Sequence, residues 1–281
     1  MEQQKINELK ILATNIRKNV VKMVGAEGYT GHVGGSCSSA DLVAAIYGYK
    51  MKHDPKNPNM PDRDKFIYSK GHAAIAQYGV LAELGYFPKE DILKTKSLGC
   101  HLQGHPDRLK TPGIEVGTGS LGQGLSIALG LALSMRINKI DSKVYCIMGD
   151  GELGEGQIWE AAMAAANYHV DNLVGIIDRN RLQATGPVAE RMASEPIDEK
   201  WRAFGWNVVE IDGHNMEEIV DTLDAVDDIK GQPSLILANT IKGKGISFAE
   251  NVVGFHNGSF TKEQYDQALN ELDSMLADLE G

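Results

Sequence analysis

Two apolar segments that each end in polar residues constrain the fold of this 281-residue chain more than any other feature. Residues 144–148 lead into a Gly-Asp-Gly sequence at 149–151, and residues 173–177 lead into Asp-Arg-Asn at 178–180. The Ala-rich segment between them, residues 157–168, is made of good helix formers. A strand–helix–strand unit of this kind is right-handed, and both strands present their carboxyl ends at one edge of a parallel sheet. The pattern predicts a ligand site at that edge.

The polar residues after these strands favour a cation bridged to a diphosphate. Asp150 offers a carboxylate, Asn180 offers a side-chain amide, and Gly151 leaves a backbone N–H open at a helix N-terminus. Oxygen ligands beside such N–H groups suit a hard cation and a phosphate group. A structural turn with Asp150 as helix cap is the alternative interpretation. The amide at position 180, about thirty residues after the carboxylate, favours the cation site.

Helices and strands alternate along the rest of the chain. Helices are predicted over residues 5–24, 39–49 (with Ser39 as its N-cap), 72–84, 122–138 and 216–225, and further strands over 65–68, 207–211 and 234–239. This alternation predicts an α/β fold with a doubly wound, mostly parallel sheet flanked by helices. The long irregular stretch 87–116 indicates a functional loop. No domain boundary is evident, so residues 1–281 are predicted to form a single domain.

Composition excludes several classes of partner. The formal net charge is −10 and no basic patch is present, which argues against nucleic acid as a partner. No apolar run approaches the length of a membrane span. Three cysteines without close spacing suggest neither a disulfide framework nor a zinc site. These features predict a cytoplasmic protein that does not bind a membrane.

Four further motifs precede the Gly-Asp-Gly sequence. They are Thr-Gly-His-Val-Gly-Gly-Ser at 30–36, Ser-Lys-Gly-His-Ala at 69–73, Gly-His-Pro-Asp at 104–107 and Gly-Thr-Gly-Ser-Leu-Gly-Gln-Gly at 117–124. In this order they resemble the N-terminal half of transketolase, from about residue 5 to residue 260. A one-chain transketolase is more than twice as long, so the sequence resembles the N-terminal subunit of a split transketolase.

The resemblance implies thiamine diphosphate and Mg²⁺ as cofactors, held in the thiamine-diphosphate-binding fold. The implied metal ligands are Asp150, Asn180 and the main-chain oxygen of Leu182. The implied cofactor contacts are His72, Gly119, Ser120, Leu121, Gly151, Asn180 and His256. Ser120 replaces a proline of one-chain transketolases, and a backbone contact with the aminopyrimidine ring tolerates this change.

Catalytic roles are also implied by the resemblance. His32 and His105 match histidines of the substrate channel, and His256 matches one that contacts both cofactor phosphate and substrate. Imidazoles suit the proton transfers at the donor and acceptor carbonyls. Glu155 matches an acid that pairs across the dimer with the cofactor-activating glutamate, although an acid at a helix N-terminus is also favoured by the helix dipole. Whether the loop lysines 242 and 244 contact phosphate stays open.

The implied reaction is transfer of a two-carbon ketol unit from a ketose phosphate to an aldose phosphate, as in the pentose phosphate pathway. The activating glutamate belongs to the pyrimidine-binding domain, which this sequence lacks. We therefore expect a C-terminal partner chain, a heterotetramer of two plus two chains, and no activity from this chain alone. The alternatives are a split transketolase for an unusual, for example branched, sugar phosphate and a non-catalytic cofactor-binding paralogue.

The acidic C-terminal tail, residues 261–280, is predicted to be a helix with one apolar stripe. The stripe contains Tyr265, Leu269, Leu272, Met275 and Leu279. Packing of this stripe onto its own domain is one interpretation, and docking onto a partner chain is the other.

Overall fold

A five-stranded parallel sheet forms the centre of the computed structural model, which describes residues 3–25 and 29–280. Its strands are β1 (Lys65–Tyr68), β2 (Val144–Gly149), β3 (Leu173–Arg179), β6 (Asn207–Asp212) and β7 (Ser234–Asn239), in the order β1-β2-β3-β7-β6. The short strands β4 (Leu182–Gln183) and β5 (Gly186–Pro187) form an antiparallel hairpin. The predicted fold class is confirmed.

Helices cover both faces of the sheet. They are α1 (Gln3–Val24), α2 (Val33–Ser38), α3 (Ala40–Ala45), α4 (Ala74–Glu83), α5 (Gln123–Ile137), α6 (Gly156–Asn167), α7 (Val188–Arg191), α8 (Ile197–Ala203), α9 (Met216–Ala225) and α10 (Lys262–Glu280). Helices α1, α3, α4 and α9 pack into one hydrophobic core, and α5, α6 and α8 pack into the core on the other face. Among the described residues, no helix combines the length and the apolar character needed to cross a membrane.

The central strands follow the predicted boundaries closely. Strands β1 and β7 and helix α9 begin and end where the sequence pattern places them. The register pairs Gly149 with Asp178 and Asp178 with Ala238, so the carboxyl ends of β2, β3 and β7 lie at one edge. The predicted strand–helix–strand unit is therefore confirmed, and residues 150 and 180 follow neighbouring parallel strands.

Ser39 is the N-cap residue of α3, as predicted, but its side chain makes no capping hydrogen bond and a short additional helix precedes it. This helix, α2, begins at Val33, inside the glycine-rich segment. The Ser39 hydroxyl instead donates to the Gly35 carbonyl oxygen (2.9 Å). Close packing explains the early start, because a Cβ added to Gly34 would lie 2.9 Å from Cγ of Lys242. Tertiary contact here outweighs the low helix propensity of glycine.

The C-terminal helix α10 packs against α1, which supports the own-domain interpretation of its apolar stripe. Leu272 is buried, and Tyr265 and Leu269 pack against the core. Met275 departs from the prediction because its side chain is exposed. The packing against the domain therefore covers only part of the stripe.

Candidate active site

A cavity of about 380 Å³ opens at the carboxyl edge of β1, β2, β3 and β7. Predicted site residues that line it are His32, His72, Gly119, Leu121, Asp150, Gly151, Glu155, Asn180, Leu182 and His256. Lining residues that the sequence interpretation did not single out are Gly35, Lys70, Gly149, Glu152, Gln183, Ala184 and Thr185. Residues from seven separated segments therefore meet in one cavity of the size typical of small-ligand sites.

Oxygen donors gather on one side of this cavity. Asp150 is buried, and its carboxylate accepts the N–H groups of Gly151 (2.8 Å) and Arg181. The Asn180 side-chain oxygen accepts the Leu182 N–H at 3.1 Å, which holds the turn after β3 against the cavity. Burial, together with the nearby Asp178 carboxylate, raises the pKa of Asp150 to about 6. A bound cation would stabilise this buried negative charge.

Gly151 has no room for a side chain. A Cβ at this position would lie 2.9 Å from the Cβ of Gln183, at the start of the β4–β5 hairpin. The hairpin therefore approaches the backbone closely and leaves the cavity lined by main-chain atoms at this turn. The Gly151 N–H, which the sequence interpretation left open for a ligand, donates to the Asp150 carboxylate (2.8 Å), so Asp150 also acts as a cap of the following turn.

Three histidines that line the cavity form a cluster. The ring centroids of His32 and His72 lie 4.9 Å apart, those of His72 and His256 lie 5.0 Å apart, and those of His32 and His256 lie 5.5 Å apart. Burial and nearby lysines lower the pKa of His32 and His256 to about 4 and that of His72 to about 2. All three imidazoles are therefore neutral at physiological pH, and each can both donate and accept a hydrogen bond.

The two loop lysines occupy different environments. Lys242 is buried and lines the cavity, where its ammonium donates to the Leu182 carbonyl oxygen (2.8 Å) and to Nδ1 of His256 (3.1 Å). Burial and the charge of Lys70 lower the pKa of Lys242 to about 8. Lys244 does not line the cavity, and its ammonium lies 3.8 Å from Glu250. Of the two, Lys242 has the position required for contact with a bound anion.

A buried ion pair between Lys70 and Asp178 lies at the cavity, where Lys70 is one of the lining residues. Lys70 and Asp178 pair directly, and the Lys70 ammonium also donates to the Gly35 carbonyl oxygen (2.6 Å). The hydroxyl groups of Ser38 and Thr240 donate to the same Asp178 carboxylate. Burial alone would raise the pKa of Asp178, but Lys70 and the hydrogen bonds lower it below its usual value. The pair links β1, α2, β3 and the end of β7.

Lys70→Met should destabilise the protein by about 3–5 kcal/mol, because it leaves the Asp178 carboxylate buried without its counter-charge. Unfolding by urea, followed by circular dichroism, measures this change. Lys52→Met is the matched control, since Lys52 and Asp62 form an exposed pair and should contribute nothing measurable. Equal unfolding midpoints for Lys70→Met and the native chain would show that the buried pair is not a determinant of stability.

The remaining predicted residues lie at the rim. His105 is exposed, and its imidazole packs over Gly119, where an added Cβ would lie 2.7 Å from the ring. Ser120 is exposed and does not line the cavity. Glu155 lines the cavity but remains exposed beside Gly122. The structure thus brings His105 and Glu155 near the cavity, on the side open to solvent.

Sequence reasoning missed Lys70, Asp178 and Glu152 as parts of the site. Lys70 lies inside the Ser-Lys-Gly-His-Ala motif, and Asp178 is a carboxylate at the end of an otherwise apolar strand. A charged residue at a position that the strand pattern buries is a signal that could have identified Asp178. Glu152 gave no such signal, because an acid in the first turn of a helix is common on protein surfaces.

Comparison with known proteins identifies the family. Residues 2–273 match the family model described as transketolase, thiamine diphosphate binding domain. The chain belongs to the transketolase family. The resemblance drawn from the ordered motifs is confirmed, and the cavity at the sheet edge lies within this thiamine-diphosphate-binding domain.

Two relatives are transketolase subunits of similar length. The chain is 45% identical over 273 residues to the 6-deoxy-6-sulfo-D-fructose transketolase subunit SqwG of Clostridium sp. (strain MSTE9), covering 97% of this chain and 98% of that protein. It is 41% identical to one subunit of the apulose-4-phosphate transketolase of Phocaeicola vulgatus, covering 98% of this chain and 97% of that protein. The chain is thus similar throughout its length to subunits of split transketolases.

One-chain transketolases match over a part of their length. The human transketolase is 37% identical over 276 residues, which are 98% of this chain and 44% of that protein. The solved structure of the Campylobacter jejuni transketolase superposes with a TM-score of 0.84 at 29% identity, covering 100% of this chain and 48% of the other. This chain therefore spans about half the length of the solved transketolases that it matches.

Proposed function

We propose that this chain is the diphosphate-binding subunit of a transketolase that uses thiamine diphosphate and Mg²⁺ to transfer a two-carbon ketol unit between sugar phosphates. The observation that carries the proposal is the meeting, in one cavity, of the oxygen donors after β2 and β3 with the cluster of His32, His72 and His256. Once bound, thiamine diphosphate supplies the carbanion-stabilising chemistry of the transfer.

The donor set fits Mg²⁺. Asp150, Asn180 and the Leu182 carbonyl provide a carboxylate, an amide and a main-chain oxygen, all hard ligands. Within residues 3–25 and 29–280, no three His, Cys, Asp or Glu side chains group as a metal cluster. A site with one carboxylate needs further oxygens from outside the protein, as expected for Mg²⁺ bridged to a diphosphate.

Residues of this chain bind the diphosphate and orient the substrate. Gly151 presents only main-chain atoms to a diphosphate at the turn after β2, and His72 and Lys242 line the same cavity, where they can donate hydrogen bonds to it. Because His32 and His256 are neutral, each can donate a hydrogen bond to a carbonyl oxygen through its N–H, or accept a proton from a substrate hydroxyl at its other ring nitrogen. His105, at the rim over Gly119, is placed for the same role at the entrance. Because the three clustered histidines are neutral, the Lys242 ammonium is the group of this set that supplies positive charge for anionic ligands.

The site is open on the side of Gly119, Leu121 and Glu155. We propose that a C-terminal subunit with the pyrimidine-binding half covers this side and that Glu155 pairs there with the activating glutamate. Two relatives are themselves named as subunits, which supports a partner chain. A heterotetramer of two plus two chains is the assembly that we propose.

An unusual sugar phosphate is the second candidate substrate. The names of two relatives specify 6-deoxy-6-sulfo-D-fructose and apulose 4-phosphate rather than the common pentose phosphates. A panel of ketose donors, including a branched pentulose phosphate and a sulfonated ketose, separates this candidate from the general one. One aldose phosphate acceptor and one partner chain should be held constant throughout the panel.

The isolated chain should show no ketol transfer, and coexpression with a C-terminal transketolase subunit from the same genome should restore it. Activity and light scattering are measured on the chain, on the partner and on the mixture. Full activity from this chain alone would overturn the split-enzyme assignment. A mixture that binds the cofactor but transfers no ketol unit from any donor would favour the non-catalytic paralogue.

A further inference from the structure

Glu152 is a buried carboxylate whose two oxygens join three separate segments of the site. One oxygen accepts the Ser69 hydroxyl, at the end of β1, and the Gly122 N–H at 2.8 Å. The other accepts the Gly149 N–H, at the end of β2, at 3.1 Å. Only 3% of the residue is exposed. A carboxylate accepts hydrogen bonds without donating any, so this arrangement satisfies it in its ionised form.

The Gly122 contact anchors one end of the segment 119–121. The other end is anchored by Thr118, whose hydroxyl donates to the Tyr68 carbonyl oxygen at 2.8 Å. Gly122 has a positive φ of 84° and is the N-cap residue of α5, with no side chain to hold this end itself. Two hydrogen bonds therefore hold the segment 119–121 at its ends. Thr118 bonds to the Tyr68 carbonyl oxygen, and the Gly122 N–H bonds to the Glu152 carboxylate.

The Gly149 contact connects the same carboxylate to the opposite side of the cavity. Gly149 directly precedes Asp150 and Gly151, where the proposed cation and diphosphate bind. Thr118 reaches only the end of β1, whereas Glu152 bridges the segment 119–121 and the turn after β2. The Glu152 side chain thus fixes the distance between two walls of the cavity. One wall is the segment 119–121, and the other is the turn at residues 149–151.

We propose that Glu152 is a positioning residue that sets the spacing between the diphosphate side of the site and the Gly119–Leu121 side, which faces the remainder of the cofactor. The inference rests on the proposed function, since it assumes that thiamine diphosphate spans both walls. Glu152 lines the cavity with little exposed surface, and both of its carboxylate oxygens already accept hydrogen bonds from the protein, so its role is to hold these segments and not to bind the ligand. Loss of the hydrogen bonds made by Glu152 should therefore weaken the binding of ligands that contact both walls and leave unchanged the binding of ligands that contact one wall.

The test compares two ligands in the presence of Mg²⁺, with this chain assembled with its partner chain. Thiamine diphosphate should contact both walls of the cavity, whereas inorganic pyrophosphate should contact only the wall that contains Asp150. Glu152→Gln replaces one acceptor oxygen with an amide donor, so either the Gly149 or the Gly122 N–H loses its acceptor. We expect a loss of thiamine diphosphate affinity of roughly 10–100-fold, the effect of losing hydrogen bonds to a charged group, and an unchanged pyrophosphate affinity.

Three controls keep the outcome interpretable. Ser69→Ala removes one donor and keeps both backbone contacts, so it should weaken thiamine diphosphate binding less than Glu152→Gln does. Glu199→Gln makes the same charge change at an exposed position on α8 and should change neither affinity. Hydrogen exchange of the Gly122 or the Gly149 amide should accelerate in Glu152→Gln even without ligand, which reports the lost contact independently of binding.

Equal weakening of both ligands in Glu152→Gln would overturn the inference, because it would indicate general damage to the site. Unchanged thiamine diphosphate affinity, or unchanged exchange of both the Gly122 and the Gly149 amides, would also overturn it. If the native assembly bound neither ligand with Mg²⁺, the proposed function itself would fail. The two failures are therefore distinguishable.

Discussion

Asp150→Ala is expected to abolish Mg²⁺-dependent binding of thiamine diphosphate. Asp150 is the single carboxylate among the proposed ligands, and it is held in place by the N–H groups of Gly151 and Arg181. Its removal takes away the only formal negative charge in this proposed ligand set. Asn180 and the Leu182 carbonyl remain, but two neutral oxygens do not compensate the dehydration of Mg²⁺. Calorimetric titration of the assembled enzyme measures the loss.

Two further variants distinguish the loss of the Asp150 charge from an effect on folding. Asp150→Asn keeps the size of the side chain and one oxygen, so it should bind more weakly than the native protein but fold equally well. Asp221→Ala removes an exposed carboxylate on α9 and should leave binding unchanged. An Asp150→Ala variant with native affinity for the cofactor and Mg²⁺ would end the assignment of this residue as a ligand.

His105→Ala should reduce turnover by roughly 10²–10⁴-fold while cofactor affinity changes little, since this is the range for a lost acid–base or oxyanion-stabilising group. The imidazole lies over Gly119 at the open rim, away from the oxygen donors of Asp150 and Asn180. It can therefore reach a substrate carbonyl without forming part of the diphosphate site. Steady-state kinetics of the assembled enzyme with several sugar-phosphate pairs gives kcat/KM.

His101→Ala is the matched control for this variant. His101 lies four residues earlier in the same loop, but its ring packs edge-on against Phe87 and its Nε2 lies 3.3 Å from Asp91. Its loss should affect the stability of the loop and not the chemical step. Native kcat/KM in His105→Ala for every donor and acceptor would make His105 a bystander, whereas equal losses in both variants would indicate a general loop effect.

The position of Asp150 and Asn180 at the carboxyl edge of the sheet could be predicted, because it depends on local sequence patterns. Apolar runs buried on both faces specify the strands β2 and β3, and parallel pairing requires their carboxyl ends to coincide. Asp150 and Asn180 follow these strands by one residue each, so their meeting needed no knowledge of the rest of the molecule. The histidine motifs were recognised through their order along the chain, and His32, His72 and His256 do form one cluster.

Contacts between distant segments were decided only by the tertiary structure. The sequence does not specify that β7 lies between β3 and β6, and this order brings Lys242 to the Leu182 carbonyl while Lys244 stays outside the cavity. The bridge made by Glu152 likewise depends on strand ends that lie far apart in the chain. Periodicity and motifs report the preferences of neighbouring residues. The partners of a buried charge, in contrast, are selected by the packing of the whole domain, because an unpaired buried charge is too costly to remain.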